Sequence, residues 1–334
     1  MTNLRALAAF AALAVLAPGA SPAALPPVAT QAAAPGPAPR ENAALLAYVG
    51  EYRGAGRTAT VLEDHGRLYA LIADQPRLRL DRARQFALRN GAPVALRIAG
   101  VSYRRFDLGA ERVAQDRARA TRDITQLRAA ALAAQPPAEP APHAKSDLVD
   151  LTTIDPGIRL DIRYATADNN IGLPLYEKPM AFLQRPAAEA LGRAHRALAA
   201  YGFGLMIHDG YRPWYVTKIF WDATLPEEHV FVADPAQGSR HNRGCAVDLT
   251  LYDLRTGKAL VMTSRYDEMS PRSFADYRGG TTRQRWLRDL LRQTMEAQGF
   301  AVYPEEWWHF DYHAWADYAI GNASFSDLAG RPAR

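Results

Sequence analysis

Ser239-Arg-His241-Asn-Arg-Gly244-Cys245-Ala-Val-Asp248, answered further along by Glu306-Trp-Trp-His309, decides how this chain is read. Together the two stretches offer two imidazoles and two carboxylates. Two imidazoles and one carboxylate can bind a single zinc ion and leave the second carboxylate free. Catalytic zinc keeps three protein ligands and one open position, where the pKa of a water falls towards about 7. A carboxylate beside such a site takes the water's proton and passes it to a leaving amine. Glu306 is the candidate for that work.

Cys245 to Tyr252 alternates as a strand, with Val247, Leu249 and Leu251 on one face and Asp248 and Thr250 on the other. Asp248 can then face a cleft while its neighbours fill the core. His241 precedes this strand in a loop containing Gly238 and Gly244. In a regular strand Glu306 and His309 face opposite ways, so the segment after Pro304 must bend if both serve one site. Cys245 falls on the face away from Asp248 and reads as a small buried hydrophobe. Of the remaining histidines, His65, His143, His195, His208, His229 and His313, only His208 and His313 lie beside these segments and compete as ligands. His195, on a helix with Arg193 and Arg196, reads as part of a solvated face.

Six blocks now fall in order: Ile158-Arg-Leu-Asp-Ile-Arg-Tyr164-Ala-Thr-Ala-Asp168-Asn169, His208-Asp-Gly-Tyr-Arg212-Pro213, Ser239 to Gly244, Asp248 to Tyr252, Arg265-Tyr-Asp267 and Glu306 to His309. With them the region from about Asp147 to Tyr318 resembles the VanX-like D-alanyl-D-alanine dipeptidase family. The resemblance implies an α+β, hedgehog-like zinc D,D-peptidase domain, with an antiparallel sheet flanked by helices. It implies one Zn2+ per domain held by His241, Asp248 and His309, with Glu306 as general acid/base. Arg212 matches the arginine that stabilises the tetrahedral intermediate, a role suited to a permanently charged donor fork. Asp267 and Tyr164 match positions near the substrate's amino end, and Ser239 one near its carboxylate. Taken without the resemblance, Arg212 ties down the Gly210–Pro213 turn and Asp267 is a surface acid in a charged stretch. The chain departs from the family pattern between Arg212 and His241, where only 28 residues intervene. A shorter segment at the pocket mouth implies a more open site that admits longer peptides. Asn242 and Cys245 are further departures, and neither removes a ligand.

Arg5, the uncharged run Ala6–Ala17 and the small-residue stretch Pro18–Ala24 have the organisation of a cleavable signal peptide over residues 1–24. The mature protein is therefore expected in the periplasm or outside the cell. The run is about a dozen residues, short of a spanning helix, and an uncleaved anchor is the alternative. With a single cysteine, Cys245, there is no internal disulfide, and the fold must rest on its core and metal.

The length allows two domains. Residues 25–41 read as an Ala/Pro-rich linker. Residues 42–108 read as a small antiparallel β accessory domain, with strands at Tyr48–Tyr52, Ala59–Leu62, Leu68–Ile72 and Val94–Tyr103 and turns at Asp64-His65-Gly66 and Asn90-Gly91. This part loosely resembles the β-domains appended to some serine β-lactamase-like proteins. Residues 109–146 read as a charged helix, Gly109–Gln135, and a Pro-rich linker, its charges forming a solvated face. The catalytic domain is assigned to 147–325 and a C-terminal tail to 326–334. Within the domain the pattern gives strands at Ile158–Tyr164, Phe203–His208 and Ala246–Tyr252, and a strand pair over Phe300–Tyr312. Helices are expected at Pro186–Tyr201, Trp214–Trp221 and Thr282–Gln298. Leu191, Ala194 and Leu198 form a core stripe, whereas Arg283, Arg285, Arg288 and Arg292 read as a solvent face. Trp307 and Trp308 are expected to wall the pocket.

The expectation is thus an exported zinc D,D-dipeptidase in which zinc-activated water, deprotonated by Glu306, attacks D-alanyl-D-alanine during cell-wall peptide turnover or scavenging. One alternative is a D,D-carboxypeptidase or another peptidoglycan stem-peptide hydrolase. Another is a non-enzymatic protein that binds wall peptides or a partner and keeps a structural zinc, in which Glu306 and Arg212 have no evident task. The formal charge of +5 permits contact between the β domain and anionic envelope material. Nucleic acid is not an expected partner, nor is a membrane span expected in the mature chain.

Overall fold

A computed structural model describes residues 36–120, 124–140 and 142–330. The expected signal peptide, most of the 25–41 linker and the last four residues lie outside the described residues. The architecture is mixed, with largely antiparallel sheets and packed helices.

The N-terminal part runs through α1 (Ala43–Leu46), β1 (Gly50–Gly54), β2 (Arg57–Asp64), β3 (Arg67–Ile72), β4 (Leu78–Leu80), α2 (Arg82–Gln85), β5 (Phe86–Arg89), β6 (Ala92–Ile98) and β7 (Val101–Phe106). Its strands form one antiparallel sheet in the order β4-β3-β2-β1-β7-β6-β5. Ala55-Gly56, His65-Gly66, Asn90-Gly91 and Ala99-Gly100 all have φ > 0 at both residues, the two-residue hairpin geometry that matches strand twist. Alanine disfavours that region because of its Cβ, and Ala99 gave no signal in the sequence. The run Val94–Tyr103, expected as one strand, is therefore two. Tyr52, Val61, Leu68, Leu96 and Tyr103 pack into a core of this sheet's own.

The sheet is docked on the rest of the chain by part-buried polar contacts. Tyr277 donates to the Glu51 carboxylate at 2.7 Å, and the Thr282 N–H to that of Glu63 at 2.8 Å. Arg285 donates to the Glu63 carbonyl at 3.0 Å and to Asp64 at 3.2 Å. Arg283 donates to the Pro39 carbonyl at 3.0 Å and Arg288 to the Tyr277 carbonyl at 2.6 Å, so of the four arginines read as a solvent face only Arg292 is exposed.

Next come α3 (Leu108–Ala120), α4 (Ile124–Ala133), β8 (Leu148–Asp150), β9 (Arg159–Leu160), β10 (Phe182–Gln184), α5 (Arg185–Ala199), β11 (Phe203–Asp209), α6 (Trp214–Ala223), β12 (Ala246–Asp253), α7 (Thr282–Glu296), β13 (Phe300–Tyr303), β14 (Glu306–Tyr312) and α8 (Phe325–Ala329). α4 lies against α6 and buries Ala131, and Glu139 beyond it pairs with Arg243, so the 109–146 segment is packed against the fold. α8 occupies the start of the expected tail: a Ser324–Asp327 capping box opens it and Phe325 and Leu328 are buried.

The site rests on the five-stranded sheet β13-β14-β12-β11-β9, antiparallel except for β9 beside β11. α5 begins with Pro186 in its first turn and buries Leu191, Ala194 and Leu198 completely. Each leucine buried there contributes about 1.5–3 kcal/mol, so a charge at Leu191 would break the layer. His195, contrary to expectation, points inward: its Nδ1 accepts the Leu205 N–H at 3.1 Å. It is a satisfied core histidine. The strand expected at Ile158–Tyr164 is shortened to Arg159–Leu160, because Arg163–Ala165 turns into a 3-10 helix that buries Tyr164.

Candidate active site

Two irregularities of the sheet assemble the site. Asp248 of β12 and His309 of β14 are direct cross-strand partners, so their side chains share a face. On the other side of β14 the register jumps from Val302↔Phe310 to Tyr303↔Glu306. β14 thus carries three extra residues. An odd number inverts the alternation and returns Glu306 to the side of His309. This is the bend that the spacing demanded. Between β11 and β12 the register shifts at His208, so Asp209 comes opposite Asp248. His208 instead stacks on Tyr266 and bonds the Asp161 carbonyl, and His313 bonds the Gly299 carbonyl. Neither joins the cluster.

His241 is delivered by its loop. Gly244 has φ +67°, and a Cβ there would lie 2.4 Å from Leu148. Asn242 stitches the loop to the Arg212 turn: its amide accepts the Ser239 N–H at 2.7 Å and donates to the Arg212 carbonyl at 2.8 Å and Thr217 at 2.9 Å. Ser239 Oγ accepts the His241 N–H at 3.2 Å. The departure at Asn242 therefore has a structural task.

Three potential ligand atoms converge. His241 Nε2 and His309 Nδ1 are 3.1 Å apart, and Asp248 Oδ1 lies 3.3 and 3.0 Å from them. Zinc bonds of about 2.0–2.1 Å in a tetrahedral shell give ligand–ligand edges of about 3.3–3.4 Å. The triangle fits such an ion with little adjustment. The remaining ring nitrogens are committed outward: His241 Nδ1–H to the Gly210 carbonyl at 2.7 Å, and His309 Nε2–H to Asp311 at 2.9 Å. Those partners leave the inward nitrogens as lone-pair donors. Tyr266 donates to Asp248 Oδ2 at 2.8 Å.

Glu306 Oε2 stands 3.8 Å from His309 Nδ1, outside the triangle but beside it. Burial pushes its carboxyl up to about 8; His309 opposes the rise, and Asp248 and Asp267 add to it. Such a carboxyl is poised to exchange a proton near neutral pH. Burial also raises Asp248, but His241 and His309 outweigh it and hold it well below the usual carboxylate range. His309 is the mirror case: burial lowers it, and Asp311 and Asp248 hold it well above an ordinary imidazole. Arg212 is buried, with Nε and Nη2 2.9 and 2.8 Å from Asp209 Oδ2, and its guanidinium lies over the Tyr164 and Phe220 rings. Cys245 is buried and its thiol pushed up to about 12 by burial, which makes it inert.

Asp267 sits at φ +61°, unusual for a residue with a side chain. Tyr164 donates to its Oδ1 at 2.8 Å, while Oδ2 is buried with no hydrogen-bond partner. Burial pushes this carboxyl up to about 7. Tyr164, Arg212, Ser239, His241, Asp248, Asp267, Glu306 and His309 all line one cavity of about 450 Å3. Val230 to Ala233, from the short 212–241 connection, also line it, so this connection does reach the pocket. Trp308 walls the same cavity, whereas Trp307 lines the neighbouring one and bonds Ser264. Sequence reasoning missed Asp311, Tyr266 and Asp209. Asp311 had a signal, standing two residues beyond His309 on the same strand face; Asp209 had none, because the bulge at His208 sets its direction.

Comparison with known proteins identifies the class as metallopeptidase. Residues 144–326 match the family model of peptidase M15, described as D-ala-D-ala dipeptidase. The chain is 35% identical over 181 residues to the D-alanyl-D-alanine dipeptidase of Escherichia coli K12, covering 54% of this chain and 92% of that protein. To the D-alanyl-D-alanine dipeptidase of Enterococcus faecium it is 37% identical over 172 residues, 46% of this chain and 85% of the relative. That of Enterococcus faecalis is 36% identical over 173 residues, with the same coverage. The chain belongs to the peptidase M15 family. The seven-stranded sheet lies outside the matched residues.

Proposed function

We propose that this protein is a zinc-dependent dipeptidase that hydrolyses D-alanyl-D-alanine. The observation that carries the reading is one cavity with a ligand triangle and a free carboxylate at its centre and the unpartnered Asp267 oxygen on its wall. His241, Asp248 and His309 would hold the zinc, in a hedgehog-like α+β domain assigned to residues 147–325. Bound there, zinc supplies Lewis-acid polarisation of the scissile carbonyl and a lowered pKa for water. Glu306 accepts the proton of the attacking water and returns it to the departing amine. Arg212, held rigid by Asp209, donates to the carbonyl oxygen as it becomes anionic. Asp267, oriented by Tyr164, receives the substrate ammonium at Oδ2, and Ser239 lies towards the substrate carboxylate. Asp311 and the Gly210 carbonyl fix which ring nitrogens face the metal.

The signal-like residues 1–24 support a periplasmic or secreted location, and with it a role in wall-peptide turnover or scavenging. We read residues 42–108 as an accessory domain. Release of alanine from D-Ala-D-Ala but not from L-Ala-L-Ala by the zinc-loaded chain tests the substrate assignment; equal rates on both would remove the D,D selectivity.

A further inference from the structure

A second cavity adjoins the substrate pocket. It encloses about 550 Å3 and shares two wall residues, Asn170 and Asp267, with the active-site cavity. Thr250 of β12 lines it. Thr250 stands two residues beyond Asp248, hence on the same strand face and about 7 Å further along.

The lining is chemically unfinished. Thr250 Oγ1, Asn170 Oδ1 and Asp267 Oδ2 are buried with no hydrogen-bond partner, and the Thr250 and Asn170 residues are only 4% and 5% exposed. Buried polar atoms in native proteins are almost always paired. One hydroxyl donor and two acceptor oxygens beside a substrate pocket match the donors and acceptors of a peptide backbone. The charge on the lining is also uneven. Arg117, Arg163, Arg265 and Arg272 face two carboxylates, Asp168 and Asp267. Arg163 and Arg272 are paired with acids. Arg265 is exposed, and its guanidinium has no ion-pair partner among the described residues.

We propose that this cavity is a subsite for the residue that precedes the D,D pair in a longer peptide, and that it selects a residue bearing a carboxylate through Arg265. The proposal rests on the dipeptidase reading of the adjoining pocket. In a longer peptide an amide N–H stands where the dipeptide has its ammonium, and Asp267 Oδ2 is an acceptor for either. The chain then passes Asn170 towards Thr250, and its acidic side chain reaches the open cationic rim. Scission stays at the D,D bond, so the chemistry at Glu306 and Arg212 is unchanged.

The test compares kcat/KM of the zinc-loaded full chain on D-Ala-D-Ala, N-acetyl-D-Ala-D-Ala and glutamyl-D-Ala-D-Ala, for wild type, Arg265→Gln and Arg265→Lys. The glutamyl peptide is expected to be cleaved about tenfold more efficiently than the acetyl compound, the value of one charge-assisted contact near the surface. Arg265→Gln should erase that advantage, Arg265→Lys should keep much of it, and both should leave D-Ala-D-Ala hydrolysis unchanged. Cleavage of the dipeptide alone, or equal cleavage of the two extended compounds regardless of Arg265, overturns the subsite while leaving the dipeptidase standing. Failure to cleave any of the three overturns both.

Discussion

Asp311 offers no atom to the ligand triangle, yet its removal should weaken metal binding. Its Oδ1 accepts the His309 Nε2–H at 2.9 Å, and its other oxygen is held 3.0 Å from Arg240 Nη1. Both His309 and Asp311 side chains are nearly nine-tenths shielded, so water does little to screen the contact. A charge-assisted hydrogen bond of this kind contributes roughly 1.5–3 kcal/mol. Outer-shell partners of metal-bound histidine typically carry a 10–100-fold effect on affinity, or about 1.4–2.7 kcal/mol, and the two estimates agree. Asp311→Ala should therefore raise the zinc dissociation constant about 10–100-fold, and Asp311→Asn, which keeps a neutral acceptor, should raise it less. The assay is competition with a chromophoric chelator at pH 9. At pH 7 the loss should shrink, because the same carboxylate also raises the affinity of His309 for the competing proton. Unchanged zinc affinity in Asp311→Ala at pH 9, with an unaltered circular dichroism spectrum, would show that Asp311 does not support His309 as a ligand.

The raised pKa of His309 carries its own consequence: metal-free protein holds a proton there at neutral pH, so zinc binding must expel it, and calorimetry in buffers of different ionisation enthalpy should show proton release that vanishes at high pH. Apparent zinc affinity should climb by up to about tenfold per pH unit below that pKa; a pH-independent affinity would count against the ligand assignment. Asp267→Asn should separate function from stability. The Asp267 carboxyl is raised from 3.8 to about 7 by burial, so the folded state keeps a proton that the unfolded state releases, and stability drains away as pH rises from the lower value through the higher. Metal-free Asp267→Asn should thus nearly match wild type at pH 4 and exceed it by on the order of 4 kcal/mol at pH 8 in urea unfolding, while KM for D-Ala-D-Ala rises. A variant that binds the dipeptide normally would show that the carboxylate does not meet the ammonium.

What the sequence revealed and what it hid follow from the range of the forces involved. Alternation along Cys245–Tyr252 and the stripe at Leu191, Ala194 and Leu198 are local signals, and β12 and α5 form where those signals stand. Asp248 and His309 face one another because their strands pair, and no local pattern reports pairing. The extra residues in β14 and the bulge at His208 are register effects of the same kind; they aim Glu306 and Asp209. His195 and Arg285 look like surface residues in a helical pattern. Their burial comes from partners far away in sequence, the Leu205 amide and the Glu63–Asp64 corner of the N-terminal sheet.

Glu306 is expected to move protons and not to hold the metal. Glu306→Gln is nearly isosteric and keeps the side chain beside His309 but removes its basicity. Zinc content and alanine release from D-Ala-D-Ala, measured on the same preparation of variant and wild type, separate the two roles. Both proteins should carry one zinc per chain, with hydrolysis by the variant reduced by about 10²–10⁴-fold. Full hydrolysis by Glu306→Gln would exclude the proton-transfer role, and loss of zinc together with activity would make Glu306 a ligand.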